Sequence, residues 1–220
     1  MPKIVDHQAR REELLEATWR VIARTGIVGV TIREIAREAG VSTGILAHYF
    51  ESKEDLLAHA LRLSHRRVYD RIDERTRDNA GLDALRTIML EALPLDEERL
   101  LEAQIEMNFL SLALGNEMLR ELQNNEFDRF WDVLHRRVVE AQRLGEISTR
   151  VDAAWVTHQL IILVEGLSLE AALYPARVQP KRQREILESF FAQVAEPRGA
   201  DGNGDVPAAS EPMHTVPFDR

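Results

Sequence analysis

From Gln8 to Val194 the apolar residues recur at intervals of three and four, and no segment alternates apolar with polar long enough to make a half-buried strand. That rhythm restricts the chain to an all-α fold whose helices share their apolar faces. Leu14, Leu15, Thr18, Val21, Ile22 and Thr25 mark a first helix, Gln8–Thr25, stopped by Gly26. TIRE at Thr31–Glu34 is a capping box: the Thr31 hydroxyl accepts from the Glu34 amide while the Glu34 side chain reaches back. Ile32, Ile35 and Ala36 carry a short helix to Gly40, and a second short helix runs from Ser42 to His48. SKED at Ser52–Asp55 caps a longer one toward Asn79. The segments Leu82–Leu93, Glu97–Leu114, Glu117–Leu144, Asp152–Tyr174 and Lys181–Val194 complete nine predicted helices. Their ends fall at Pro94, Gly115, Gly145 and Pro175, and Pro180 opens the last.

Composition narrows the function. The 220 residues include no cysteine, which excludes disulfides, thiolate zinc sites and cysteine nucleophiles. The opening MPKIVDHQARREELL is charged throughout and lacks the apolar core of a secretory signal. The longest apolar run, Leu160–Val164, is far too short to span a bilayer. A soluble, cytoplasmic protein with no membrane partner is expected. The formal charge of −9 is uneven: residues 1–50 carry seven Lys/Arg against six Asp/Glu, and the remainder 21 against 31. A polyanion meets the N-terminal part more readily. From Glu196 onward, seven Gly or Pro fall in 25 residues without apolar period, which predicts a disordered tail over 196–220.

The stretch AGVSTGILAHYFESK, Ala39–Lys53, reads as a helix-turn-helix. Two short helices crossing steeply need a left-handed residue in the turn, supplied by Gly40. They also need a small residue where they cross, supplied by Ala36. Ile35, Ala39, Val41, Leu46 and Tyr49 have the spacing to fill the small core between them. Thr43, Gly44, Ala47 and His48 then face outward on a helix shaped for a DNA major groove, N-terminal residues nearest the base edges. Glycine and alanine allow close approach there. Ser42 is a helix cap or a DNA contact, His48 a contact or an ordinary surface residue, and Tyr49 packs its ring with the hydroxyl outward. Arg33 has the reach for a guanine or a phosphate. Lys53 lies in the first turn of the next helix, where free amides favour an anion. Both are solvated charges in the alternative, but two cations beside this motif favour phosphate.

On these residues, TIREIAREAGVSTGILAHYFESKEDLL resembles the DNA-binding signature of TetR-type transcriptional regulators, from about Gln8 to His59. The resemblance implies a homodimer of all-helical subunits, three N-terminal helices on double-stranded operator DNA and a larger ligand-sensing domain behind them. It implies DNA contacts at Thr31, Arg33, Thr43, Gly44, Tyr49 and Lys53. Two departures matter: many members carry lysine at Thr43 and tyrosine at Ala47, so base preference should differ here. STGILAHYF is similar to the BetI-like branch, as, more loosely, are FWDVLHRRVVEAQRLGEI and the VEGL stretch. The expected division is a head of residues 1–50, a sensing and dimerisation domain of 51–195, and the tail. Repression, relieved by an unidentified small-molecule effector, follows from the resemblance.

In the sensing half, the Asp152–Tyr174 helix is apolar on nearly every side, so one face must meet something beyond its own core. With Phe190 and Phe191 on the last helix, and Leu163 and Leu167 on this one, a dimer interface built as a four-helix bundle is predicted. Met89, Met107, Phe109, Trp131 and Trp155 are candidate ligand-pocket residues, with Glu106 and Glu165 as polar anchors. Core packing is the alternative for each. A quaternary ammonium suits an aromatic cage of this type, although these residues do not select it over other ligands.

An enzyme is the rival class. The seven histidines form no i, i+4 pair, HExxH and EF-hand patterns are missing, and GLSLE at Gly166–Glu170 ends in glutamate with no strand before it. No catalytic residue, metal site or cofactor is expected. A helical scaffold that never touches DNA, the second rival, would not need the glycine turn with its outward Thr, His and Lys.

Overall fold

The computed structural model describes residues 7–195, and the tail expected over 196–220 lies outside them. Among the described residues the apolar rhythm resolves into nine helices and no named strand. The helices are α1 (His7–Gly29), α2 (Ile32–Glu38), α3 (Thr43–Tyr49), α4 (Lys53–Arg75), α5 (Gly81–Ala92), α6 (Glu97–Ala113), α7 (Glu117–Arg143), α8 (Ala153–Leu173) and α9 (Pro180–Val194). Gly26 adopts φ 66° and ψ 165°, so the first helix breaks at the predicted stop before a further turn to Gly29. Ser42, Ser52, Asp96, Asn116 and Asp152 each accept the amide three residues on, closing five helix starts with a side-chain oxygen. α4 ends at Arg75, short of the predicted Asn79. There the Thr76 hydroxyl donates to the Ile72 carbonyl at 2.7 Å, and the chain turns back through Asn79 N–H to Thr76 O at 3.1 Å.

Two hydrophobic clusters organise the body. The first joins α1, α2 and α3 to the N-terminal half of α4 (Leu56, Leu57, Leu61) and to Ile105 and Phe109 of α6. The second gathers α5, α7, α8 and α9 and takes Ile72 from the end of α4, with Val68 half-buried against it. α4 therefore belongs to both.

Its N-terminal half and middle are tied to α1: the Trp19 indole donates to the Ala60 carbonyl at 3.0 Å, Arg67 pairs with Glu16, and the same guanidinium lies 4.5 Å over the Trp19 ring. The C-terminal half is held by buried charge. Arg71 binds Glu102 of α6 with two hydrogen bonds, 2.8 and 2.5 Å. Glu91 of α5, 3% exposed, sits among Arg75 at 2.8 Å, Arg99 at 3.0 Å and Arg71 at 3.5 Å.

α8 is the one described helix long and apolar enough, by length and composition, to cross a bilayer. Its apolarity divides into two faces. Val156, Leu160, Ile161, Leu167 and Ala171 are buried in the subunit, whereas Trp155, Ile162, Leu169 and Leu173 stand at intervals of seven, seven and four on an exposed stripe. On α9, Phe191 is 1% exposed, with the Arg86 guanidinium 5.6 Å above its ring. Phe191 and Leu167 thus pack inside their own subunit, while Phe190 and Leu163 are half-buried at its margin. The large apolar side chains of α8 that this subunit leaves about half exposed are instead Trp155, Ile162, Leu169 and Leu173.

Candidate nucleic-acid interface and ligand cavity

The turn between α2 and α3 is set by hydrogen bonds as well as by its glycine. Gly40 has φ 65°, its N–H donates to Arg37 O at 3.2 Å, and Val41 N–H donates to Ala36 O at 2.9 Å. These two bonds form a Schellman motif, which ends α2 and redirects the chain. Leu46 and Phe50 then point inward and are buried, with Ile35 and Ala36 opposite them. On the other side Ser42, Thr43, Gly44, Ala47 and His48 are exposed, together with Thr31 and Arg33 from the first helix of the motif.

Ser42 Oγ accepts from Ile45 N–H at 3.4 Å, a long cap that leaves the hydroxyl partly free. Thr31 accepts from Glu34 N–H at 3.2 Å, but Glu34 answers the Thr31 hydroxyl, not the backbone. Tyr49 is half-buried against the first cluster, its ring 5.5 Å from His48 and 5.8 Å from His7, so the start of α1 reaches the second helix of the motif. Lys53 is the first residue of α4, half-buried beside its free amides. All eight residues singled out in the sequence lie on or beside this motif.

Behind it, α4, α6, α7 and α8 enclose a cavity of about 140 Å³. An apolar cavity of roughly 150 Å³ accepts a molecule the size of benzene, which sets the scale of ligand that fits without rearrangement. Tyr69, Met107, Phe127 and Phe130 supply apolar wall, and Glu106, Glu126 and Glu165 supply carboxylates. His65 stands among these. Its Nε2 is 2.6 Å from Glu106 Oε2, its Nδ1 3.4 Å from Glu126 Oε2, and Glu106 Oε1 accepts from Gln123 Nε2 at 2.5 Å. The 3.4 Å contact is an ion pair rather than a well-formed hydrogen bond. Accordingly His65 Nδ1 and Glu126 Oε2 are buried without a hydrogen-bond partner, as is Gln123 Oε1.

Burial alone would lower the His65 pKa, but the hydrogen bond to Glu106 and the charge of Glu126 outweigh it and raise the pKa to about 9. The adjoining His65 imidazolium holds Glu126 below the usual carboxylate range. Burial, then the neighbouring Glu106, pushes Glu165 upward. The other cation on the wall, Arg99, is engaged by Glu91, Asp96 and the Leu90 carbonyl.

Two family profiles match the chain: the one described as bacterial regulatory proteins of the tetR family over residues 14–60, and the one described as BetI-type transcriptional repressor, C-terminal, over residues 81–196. The HTH-type transcriptional regulator PksA of Bacillus subtilis is 34% identical over 195 residues, spanning 88% of this chain and 94% of that protein. This chain belongs to the TetR family of transcriptional regulators. BetI of Vibrio parahaemolyticus is 28% identical over 202 residues, covering 87% of this chain and 94% of the relative. Among solved structures, a transcriptional regulator from Saccharomonospora viridis, in complex with choline, superposes with a TM-score of 0.81 at 26% identity, covering 86% of this chain and 99% of that one. A transcriptional regulator from Rhodococcus sp. Rha1 gives 0.76 at 29% identity, covering 84% and 97%.

A TetR-family chain is a DNA-binding regulator, not an enzyme, and the helix-turn-helix is its DNA-binding element. Within that frame the structure brings some predicted cavity residues together and disperses others. Met107, Glu106 and Glu165 line the cavity. Met89 and Phe109 are fully buried in the second and first clusters. Trp131 stacks between Phe127 and His135, beside the wall and not on it, and Trp155 is 49% exposed on α8. His65, Tyr69, Gln123 and Glu126 went unnoticed in the sequence. The signal was a set of polar residues breaking otherwise apolar helical stripes. Ile45, 40% exposed on the outward face of α3, was missed as well; an aliphatic group there suits contact with a thymine methyl.

Proposed function

We propose that this chain is a homodimeric repressor whose heads, residues 1–50, occupy adjacent major grooves of a palindromic operator. The sensing body, residues 51–195, releases them when a small organic cation fills the cavity. The observation that carries this reading is α4: one helix packs into the head at one end and lines an acidic, aromatic cavity in its middle. The choline held by the Saccharomonospora viridis relative supports a cationic effector. The aromatic rings and carboxylates of this cavity suit such an ion. Its approximate volume of 140 Å³ favours a compact one. Adjacent major grooves lie roughly 34 Å apart, so a tilt of α4 that changes head spacing costs operator affinity. The effector shifts that equilibrium only by its preference for one spacing. Such a regulator works in the cytoplasm, where the chromosome is.

A mobility shift on the DNA beside the chain's own gene, at two salt concentrations, tests the reading. Binding should weaken steeply with salt, because phosphate neutralisation dominates it. Lys53→Ala should lower affinity for all sequences and reduce the salt slope by about one, whereas Thr43→Ala should change which sequences are preferred. Salt-independent binding, or none to any duplex, would refute the reading.

The exposed stripe of α8 supports the dimer. Trp155, Ile162, Leu169 and Leu173 are each about half exposed, so covering them contributes roughly 1 kcal/mol apiece. Over two copies this is of the order of the association cost, and the half-buried Leu163 and Phe190 at the margin add the surplus. Leu169→Arg leaves the subunit core untouched and should halve the mass seen by light scattering at micromolar concentration. A dimer of unchanged stability would place the interface elsewhere.

A further inference from the structure

Within the effector cavity just proposed, His65 occupies the place where a cation belongs. Glu106 uses both oxygens, one on Gln123 and one on His65, and Glu126 turns a buried, unbonded oxygen toward the same imidazole. With Arg99 engaged elsewhere, His65 is the cavity cation left to face Glu106, Glu126 and Glu165. His65 also lies on α4, while its partners lie on α6 and α7. The ion triplet is therefore a tie between the helix that carries the head and the two helices behind it.

We propose that the His65 imidazolium is a resident counter-ion which a cationic effector displaces, so that filling the cavity and untying α4 are one event. The inference rests on the cavity being the effector site. Exchange conserves charge: the effector's positive nitrogen takes the carboxylates, His65 loses its stabilising partners, and its proton passes to the solvent. His65 is a specificity-determining residue, since a neutral ligand cannot replace what it supplies to Glu106 and Glu126. Its titration is set by burial, Glu106 and Glu126, and the titratable and charged groups around the cavity come from each element that packs there. They are Tyr69 and Arg62 on α4, Glu102 and Glu106 on α6, Glu126 and Arg129 on α7, and Glu165 and His158 on α8. With a pKa of about 9, His65 is charged at neutral pH, and the tie is lost as pH rises through that value.

Calorimetric titration of the full chain with tetramethylammonium, in buffers of different ionisation enthalpy at pH 7.5, counts the protons. About one proton should be released per site. Affinity should rise as pH approaches 9, where about half of the resident cation is already lost. His65→Gln should bind the probe on the order of tenfold more tightly at pH 7.5, since no imidazolium competes. It should release no comparable proton and bind operator more weakly without any ligand. Binding of the probe with no proton released overturns the displacement while leaving a cationic effector site intact. Equal affinity of His65→Gln, with its helix content retained, does the same. No binding by either protein removes the cationic reading of the cavity, and this inference with it. The proton count uses the unaltered chain, so it decides the matter even if the variant does not fold.

Discussion

Glu91→Ala should lower the free energy of unfolding by about 3–5 kcal/mol, the range for breaking a buried ion cluster by removing one member. Glu91 is buried between α4, α5 and α6, and three guanidiniums converge on its carboxylate. Without it, Arg71 and Arg99 face one another across a desolvated gap. Their remaining partners limit the damage. Arg71 keeps both bonds to Glu102, Arg99 keeps the Leu90 carbonyl and Asp96, and Arg75 is exposed enough to swing into water. The lower part of the range is therefore expected. Urea denaturation at fixed protein concentration measures it, with the concentration held constant because association contributes to apparent stability. Glu185→Ala, which removes two exposed pairs on α9, is the control and should change stability by less than about 1 kcal/mol. Equal effects of the two substitutions would show that the cluster contributes nothing beyond surface charge. The cluster also fixes the C-terminal half of α4, so its loss should blunt the response of operator binding to effector.

Gly44→Glu should abolish specific operator binding, by a factor of about a thousand or more, without unfolding the head. A Cβ on Gly44 would meet only the Ser42 hydroxyl, at 3.8 Å, so the substitution fits. A carboxylate in the first turn of α3 even suits the helix dipole. In the proposed docking on DNA the same carboxylate would face base edges and phosphates at the point of closest approach. Gly44→Ala, with only a methyl added, should cost far less. Circular dichroism and light scattering should match the unaltered chain for both variants. Operator binding by Gly44→Glu at the unaltered affinity would mean that this face of α3 does not meet DNA.

The helices were legible because their signals are local. A capping hydroxyl, a glycine in left-handed conformation and a three-to-four apolar spacing act within a few residues of one another. Gly26, Gly40 and Gly145 accordingly lie where the helices break or turn, each with positive φ. The one clear overshoot is α4, which ends at Arg75 and not near Asn79, the chain turning back there through Asn79 N–H to Thr76 O. Apart from Ile45, the outward face of the helix-turn-helix was equally readable, since a seven-residue helix with one buried stripe leaves little choice about what points away.

The cavity was not readable in this way. Met107 lines it and Phe109, two residues further along the same helix, is buried in the first cluster, because two residues turn the helix through slightly more than a half-circle. Phe191 and Leu173 are both large, apolar and near the C-terminal end, but one is covered by α5 and the other is bare. No spacing distinguishes them. His65, Glu106 and Glu126 are 41 and 20 residues apart in steps along the chain, and they meet only once α4, α6 and α7 pack side by side. Short-range hydrogen bonding and periodicity therefore settle where this chain is helical and which face of its reading head looks outward. Which buried charges face one another, and where space is left between them, depends on how whole helices stack, and that is a property of long-range packing.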